Sequence, residues 1–162
     1  MKFAHLVEIN DQFNPLSHTL SRSQIWRGLV LRAEQPQLFI PWLDDCVITS
    51  RSPTMLSRTS HFGQVVVHDE VVLTPQEKVV YRVPAQREIP SSRLTMRIEE
   101  PEPGVLFVRF EYDHDEEQDA RATADNNAEA IYDDFRRSAY EEADIDTIRM
   151  IRQLAQAGKL GE

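Results

Sequence analysis

The hydrophobic pattern of the chain switches between a period of two residues and a helical period. Residues 3–9 alternate between apolar and polar positions, which predicts a first β-strand. From residue 46 onward the alternation returns in six short segments: 46–50, 55–62, 65–73, 78–83, 93–99 and 105–114. The intervening residues are short runs built on Pro, Gly or polar side chains, which is typical of tight turns. Strands joined by such turns predict an antiparallel meander.

Two other parts of the chain carry a helical pattern. Ser21 and Gln24 match a capping box, and the helix that they open is expected to continue to Ala33. Pro36 interrupts that pattern, so residues 37–40 are predicted as a second short helix. Residues 126–157 form the longest helical pattern, and its apolar stripe consists of Tyr132, Phe135, Ala139, Ala143, Thr147, Met150 and Leu154. Ile148 and Ile151 widen this stripe toward the C-terminus. The stripe rotates near Asp144, where Asp144 or Asp146 could N-cap a fresh helix, so the sequence leaves open whether the helix kinks or breaks there.

The order of these elements is strand, two short helices, six strands and a long helix. It predicts an α+β fold in which a curved seven-stranded antiparallel sheet wraps around the C-terminal helix, in a single domain that spans residues 1–162. A curved sheet and a straight helix do not fill the space between them. We therefore expect a concave, mostly apolar cavity of the kind in which small ligands bind.

Composition narrows the possible partners and locations. A net charge of −9 disfavours a nucleic-acid-binding surface, because phosphate recognition needs positive charge. The chain lacks an apolar run of the length that a membrane span requires, and Glu8 follows the N-terminus too closely for a signal-peptide core. Cys46 is the only cysteine, so neither an internal disulfide nor a thiolate metal cluster is expected. A cytoplasmic location is the expectation.

Several short motifs resemble those of a known superfamily. They are NPL (14–16), LSR (20–22), QIWRGL (24–29), RAE (32–34), FIP (39–41), FG (62–63), VHD (67–69), YEEADIDT (140–147) and IR (151–152). Together they resemble the helix-grip fold of the START and birch-pollen-allergen superfamily (SRPBCC), and within it the AtaL-like family. The resemblance spans nearly the whole chain and implies the same fold. It transfers no catalytic signature, because the superfamily includes lipid carriers, hormone receptors and polyketide cyclases.

The alternation of side chains between the two faces of each strand, here called strand parity, selects the candidate site residues. The apolar face of each strand is expected to point at the long helix, and His5, Asp69, Tyr81, Tyr112 and His114 share that face. A carboxylate among apolar side chains needs a partner or a raised pKa, so Asp69 is the candidate general base, with a tyrosine or histidine beside it. The alternative is structural: Asp69 pairs with an arginine or with the backbone, the histidines lie at strand ends, and the tyrosines pack in the core.

The predicted ligand-binding residues follow from this face and from the aromatic residues of the helices. They are Trp26, Asp69, Tyr81, Met96, Phe110, Tyr112, His114 and Phe135. No metal or cofactor site is expected. The acidic residues 113–117, with Asp119 and Asp125, lack the spacing and the glycine of a calcium loop, and phosphate-loop and dinucleotide motifs are missing from the sequence.

Three functions remain open at this point. The first is a binding protein whose cavity holds a hydrophobic or amphipathic small molecule, such as a lipid or a polyketide-like compound. The second is a cyclase- or aromatase-like enzyme that uses Asp69 with a tyrosine or histidine partner. The third is an interaction module with a filled core. The oligomeric state is not indicated by the sequence.

Overall fold

The structure, a computed structural model, describes residues 2–10, 19–114 and 126–161, and for residues 126–130 and 132 it describes the backbone alone. The strands are β1 (Lys2–Glu8), β2 (Asp45–Ser52), β3 (Met55–Phe62), β4 (Val65–Thr74), β5 (Lys78–Val83), β6 (Ser92–Glu102) and β7 (Val105–His114). The helices are α1 (Arg22–Glu34) and α2 (Asn126–Gln156), with a single 3-10 turn at Pro36–Leu38. The NPL motif at residues 14–16 and the part of the acidic segment beyond His114 lie outside the described residues.

The seven strands form one curved antiparallel sheet in the order β1-β7-β6-β5-β4-β3-β2. Strands β2 to β7 pair in sequence, as the short turns require, and β1 returns to the far edge beside β7. The predicted helix-grip architecture is confirmed. The second short helix is only the 3-10 turn, because Pro36 supplies no backbone donor and the segment ends after one turn.

Strand parity is confirmed by burial. The inward faces of β4 to β7 carry the core residues, among them Val71, Val79, Met96, Val108 and Phe110. The capping box is also present: the Ser21 hydroxyl accepts from the Gln24 backbone N–H, and the Gln24 side chain accepts from the Ser21 N–H. It starts α1 at the position where this helix can cover the open face of the sheet.

The two helices contact each other where α1 carries a glycine. A Cβ atom at Gly28 would lie 2.6 Å from Cγ2 of Ile151, closer than van der Waals contact allows. The absence of a side chain at Gly28 therefore sets how closely α1 and α2 approach each other. Ile151 is fully buried at this crossing.

The buried face of α2 differs from the predicted stripe. It consists of Asp144, Thr147, Ile148, Ile151, Leu154 and Ala155, with Tyr140 packed against the same core. Phe135 is 77% exposed, and Ala139 and Ala143 are exposed as well. Phe135 precedes Asp144 by two and a half turns at 3.6 residues per turn, so the two side chains leave the helix in opposite directions. The predicted inward orientation of Phe135 is wrong.

The helix does not break at Asp144, because α2 is continuous from Asn126 to Gln156. Asp144 is not an N-cap: its side chain is directed toward the sheet, and the residue is 2% exposed. None of the described helices has the length and apolarity needed to cross a membrane.

Candidate functional site

A cavity of about 280 Å³ lies between the inner face of the sheet, α1 and α2. Its apolar wall comes from the α1–β2 connection and from inward-facing strand residues: Ile40, Leu43, Phe62, Val67, Val83 and Leu94. Six of its polar side chains come from the two helices and from four strands: Arg32 and Tyr140 from the helices, and Arg58, Asp69, Tyr81 and Tyr112 from β3, β4, β5 and β7. Mostly apolar enclosures with a few converging polar groups are typical small-molecule sites.

Arg58 and Asp69 form a buried ion pair at one side of this cavity. They occupy directly opposite positions on β3 and β4, and parity turns both side chains inward. Arg58 Nε donates to Asp69 Oδ1 at 2.9 Å and Arg58 Nη2 donates to Oδ2 at 2.7 Å, while Nη1 donates to the Ala33 carbonyl at 2.9 Å. Burial opposes the charge on Arg58, but the hydrogen bonds and the charge of Asp69 outweigh it and raise the pKa of the guanidinium.

This geometry bears directly on the candidate general base. Both oxygens of Asp69 accept from one guanidinium, in the bidentate arrangement that makes such pairs strong. For Asp69 to take a proton from a substrate, the pair would have to open and leave Arg58 charged and buried. The contacts of Asp69 therefore correspond to the structural alternative, in which this residue ties β4 to β3 and, through Arg58, to the end of α1.

Two polar atoms that line the cavity have no hydrogen-bond partner. They are Nε of Arg32 and the hydroxyl oxygen of Tyr81, both of which are fully buried and without a partner among the described residues. The guanidinium carbons of Arg32 and Arg58 lie 5.3 Å and 5.1 Å from the centroid of the Tyr81 ring. Buried polar groups are normally paired, so each such atom calls for an explanation.

On the opposite side of the cavity, Tyr112 is linked to a carboxylate on α2. The Tyr112 hydroxyl donates to Asp144 Oδ1, and His5 Nδ1 lies 3.4 Å from Asp144 Oδ2. Burial raises the pKa of the Asp144 carboxyl to about 6, although the hydrogen bonds from Tyr112 and His5 act in the other direction. Burial also raises the pKa of the Tyr112 phenol far above its usual value, and the charge of Asp144 adds to this shift.

An aromatic stack covers this network. The rings of Tyr112 and Tyr140 are nearly parallel with centroids 4.0 Å apart, and Phe3 lies 6.0 Å from Tyr112. The Tyr140 hydroxyl is 2.8 Å from Nε2 of His114, whose ring also stacks on Tyr140. The stack joins β1, β7 and α2 at the end of the cavity where β7 ends.

The structure brings some of the predicted ligand-binding residues together and separates others. Asp69, Tyr81, Tyr112 and His114 all line the cavity. The remaining four lie elsewhere: Met96 and Phe110 are fully buried in the core, Trp26 packs against the core from α1, and Phe135 is exposed.

Arg32, Arg58, Tyr140 and Asp144 were not singled out from the sequence as site residues. One signal for Asp144 was available. It follows Tyr140 by four residues and precedes Ile148 and Ile151 by four and seven, which places it on the same helix face. For Arg58 the signal was its parity on β3, where it shares a face with the buried Leu56 and Ser60.

Two larger depressions lie on the outer side of the sheet. One, of about 550 Å³, is lined by outward-facing residues such as Glu70, Arg82 and Asp113, and shares Arg93 and His114 with the cavity. The other, of about 830 Å³, lies between the start of β4 and the β5–β6 loop, next to Val66 and Ile89. Their volumes exceed that of the cavity, but most of the residues that line them are exposed. Among the described residues, no group of three or more His, Cys, Asp or Glu side chains is arranged to hold a metal ion.

The curved antiparallel sheet, the long helix against it and the cavity between them define a helix-grip protein. Its family follows from the sequence: the family model of acetylaranotin biosynthesis cluster protein L matches residues 7–158. The chain belongs to this family, AtaL, which confirms the resemblance stated above. No curated protein matches the chain in sequence.

Solved structures with the same fold include two aromatase/cyclases and the protein Ara h 8.0201. The Zhui aromatase/cyclase from Streptomyces sp. R1128 is 11% identical with a TM-score of 0.62, and the match covers 98% of this chain and 94% of that one. The di-domain aromatase/cyclase StfQ from the steffimycin pathway is 11% identical with a TM-score of 0.65 over 96% of this chain, which spans only 51% of that protein. Ara h 8.0201 is 11% identical with a TM-score of 0.56, covering 97% and 98% of the two chains. At these identities the likeness is one of fold.

Proposed function

We propose that this protein binds a small, mostly apolar molecule in the cavity between the sheet and the helices. The observation that carries the proposal is the presence of two buried polar atoms, Arg32 Nε and Tyr81 Oη, that have no hydrogen-bond partner among the described residues and lie in an otherwise largely apolar cavity. Leaving a buried polar atom unpaired costs about 1–3 kcal/mol, so a ligand that pairs with both atoms offsets that cost. The arrangement thus supports a complementary ligand with hydrogen-bonding oxygens at one end.

The volume of the cavity restricts the size of this ligand. About 280 Å³ lies just below the range of roughly 300–1,000 Å³ that is common for small-molecule pockets. Such a space favours a compact aromatic or polyketide-like molecule over a long-chain lipid. Two of the similar structures named above are aromatase/cyclases of polyketide-type pathways, which supports the same choice.

The proposal is tested by filling the cavity. Val67 lines it from β4, whereas the adjacent Val66 faces the outer side of the sheet. Native mass spectrometry of the purified protein, followed by extraction under denaturing conditions, is expected to show a bound small molecule in the wild type. Val67→Phe should lose this passenger and Val66→Phe should keep it. If Val67→Phe retained the passenger at full occupancy, the ligand would lie outside the cavity and the proposal would be wrong.

A second candidate function, acid–base catalysis, is favoured by the Tyr112–Asp144 pair. A hydroxyl that lines the cavity and is hydrogen-bonded to a carboxylate of raised pKa is an arrangement that can exchange a proton with a bound carbonyl compound. In this version the enzyme hypothesis rests on Tyr112 and Asp144 instead of Asp69. Tyr112→Phe distinguishes the two functions, because it should abolish turnover in an enzyme while leaving a binding protein occupied.

A further inference from the structure

The charged groups that line the cavity do not balance. Among the described residues that line it, Arg32, Arg58 and Arg93 contribute three positive charges and Asp69 one negative charge, a formal excess of two. Asp144 lies behind Tyr112, and counting it still leaves an excess of one. The chain as a whole carries −9, so positive charge is concentrated at the cavity against the overall composition.

The excess charge is located at Arg32. The charge of Arg58 is matched by Asp69, which accepts two hydrogen bonds from it. Arg93 is exposed at the edge of the cavity, where water solvates it. Arg32, by contrast, has no carboxylate within 4.0 Å among the described residues, and its Nε is fully buried. Asp144, the carboxylate that Arg32 influences electrostatically, is already hydrogen-bonded by Tyr112.

The Arg32 guanidinium is also held in position. Its central carbon lies 5.3 Å from the centroid of the Tyr81 ring, an attractive cation–π contact that restricts where the group can move. The unpartnered Tyr81 hydroxyl belongs to the same ring. The cavity therefore contains a half-buried cation whose Nε is shielded from solvent, with the Tyr81 hydroxyl nearby, and both groups present hydrogen-bond donors.

We propose that Arg32 and Tyr81 form an anion-binding subsite, so that the ligand of this cavity is an apolar molecule with one delocalised oxyanion, a carboxylate or an acidic enolate. The inference rests on the proposed binding function and adds the chemical class of the ligand. A guanidinium donates along parallel N–H bonds to the two oxygens of such a group, which a neutral ligand matches less well. The apolar wall of Leu43, Val67 and Leu94 accommodates the remainder of the molecule.

The test compares two probes of equal size and shape, 2-naphthoate and the neutral 2-naphthamide, by calorimetric titration of the full chain at pH 7.5. Because hydrogen bonds to a charged group are stronger than neutral ones, the wild type is expected to bind the carboxylate about tenfold or more tightly than the amide. Arg32→Gln should remove this preference and leave affinity for the amide within about twofold. Arg27→Gln, on the exposed side of the same helix, should behave as the wild type.

The outcomes separate this inference from the proposal on which it rests. Equal affinity of the wild type for both probes would overturn the anion subsite and leave the binding cavity in place. An undiminished preference in Arg32→Gln would assign the charge recognition to another residue and would also overturn the inference. If Arg32→Gln did not fold, the wild-type comparison would still decide, with Tyr81→Phe expected to weaken carboxylate binding. If neither probe bound at millimolar concentration, the binding cavity itself would be contradicted.

Discussion

Asp144 provides the sharpest thermodynamic prediction, because a carboxylate on the buried face of α2 makes folding depend on pH. Its side chain is 2% exposed, and burial raises its pKa from 3.8 to about 6. Well below pH 3.8 the group is protonated in both the folded and the unfolded chain. Between pH 4 and 6 the unfolded chain releases the proton while the folded protein retains it, so the free energy of unfolding falls as the pH rises.

The magnitude follows from the size of the shift. A difference of roughly two pKa units, at 1.36 kcal/mol per unit, corresponds to about 3 kcal/mol of stability lost above pH 6. Asp144→Asn keeps an acceptor for the Tyr112 hydroxyl but carries no charge. We therefore expect the variant to match the wild type near pH 4 and to exceed its unfolding free energy by up to about 3 kcal/mol at pH 7.5.

Urea denaturation of both proteins at half-unit steps from pH 4 to 7.5 measures this difference. Asp146→Asn is the matched control: Asp146 is exposed two residues further along α2, in a surface ion pair with Arg149, and its replacement should change stability by less than about 1 kcal/mol at any pH. A stability difference between wild type and Asp144→Asn that stayed constant with pH, or a less stable variant at pH 7.5, would refute the reasoning.

Three further substitutions test the contacts around the cavity by denaturation or ligand titration. Arg58→Met should lower stability by about 3–5 kcal/mol because it leaves Asp69 buried without its partner. Recovery of stability in a double variant that also carries Asp69→Leu would confirm this cause. An unchanged stability of the Arg58→Met variant would contradict it. Gly28→Ala should cost about 1–3 kcal/mol, since the new Cβ collides with Ile151, and an unchanged melting temperature would show that the helices separate easily. Tyr81→Phe removes a hydroxyl without a partner, so stability should hold or rise while ligand affinity falls; unchanged affinity would exclude that hydroxyl from binding.

The β-sheet was predictable, because its strands show an apolar–polar alternation with a period of two residues. In a strand each residue's side of the sheet follows from its neighbours, so the inward orientation of Asp69, Tyr81 and Tyr112 could be inferred from the apolar residues on either side. The short turns then left an antiparallel meander as the simplest topology.

Which face of α2 is buried was harder to predict, because small and polar residues occupy both of its faces. Ala139 and Ala143 fit an apolar stripe but are exposed, whereas Asp144 and Thr147 are buried. A buried aspartate is stabilised by partners that are far away in sequence, here Tyr112 on β7 and His5 on β1. Local periodicity contains no information about such partners, so the buried position of Asp144 could not be predicted from it.

The candidate site was predictable only in part for the same reason. Strand parity found the residues that the sheet supplies to the cavity, but Arg32 comes from α1, and its approach to Tyr81 depends on how the helix crosses the sheet. Whether a buried hydroxyl or guanidinium nitrogen has a partner is a property of the packed structure. The unpaired atoms on which the proposed function rests therefore became visible only in three dimensions.

The central claim, that ligand binds inside the sheet–helix cavity, is tested most directly by methyl NMR during titration with 2-naphthoate. The account predicts that the largest shifts occur at methyl groups that line the cavity: Ile40, Leu43, Val67 and Leu94. Shifts confined to Val65, Val66 and Ile89, which line the outer depression, would contradict it and place the binding site on the outer side of the sheet.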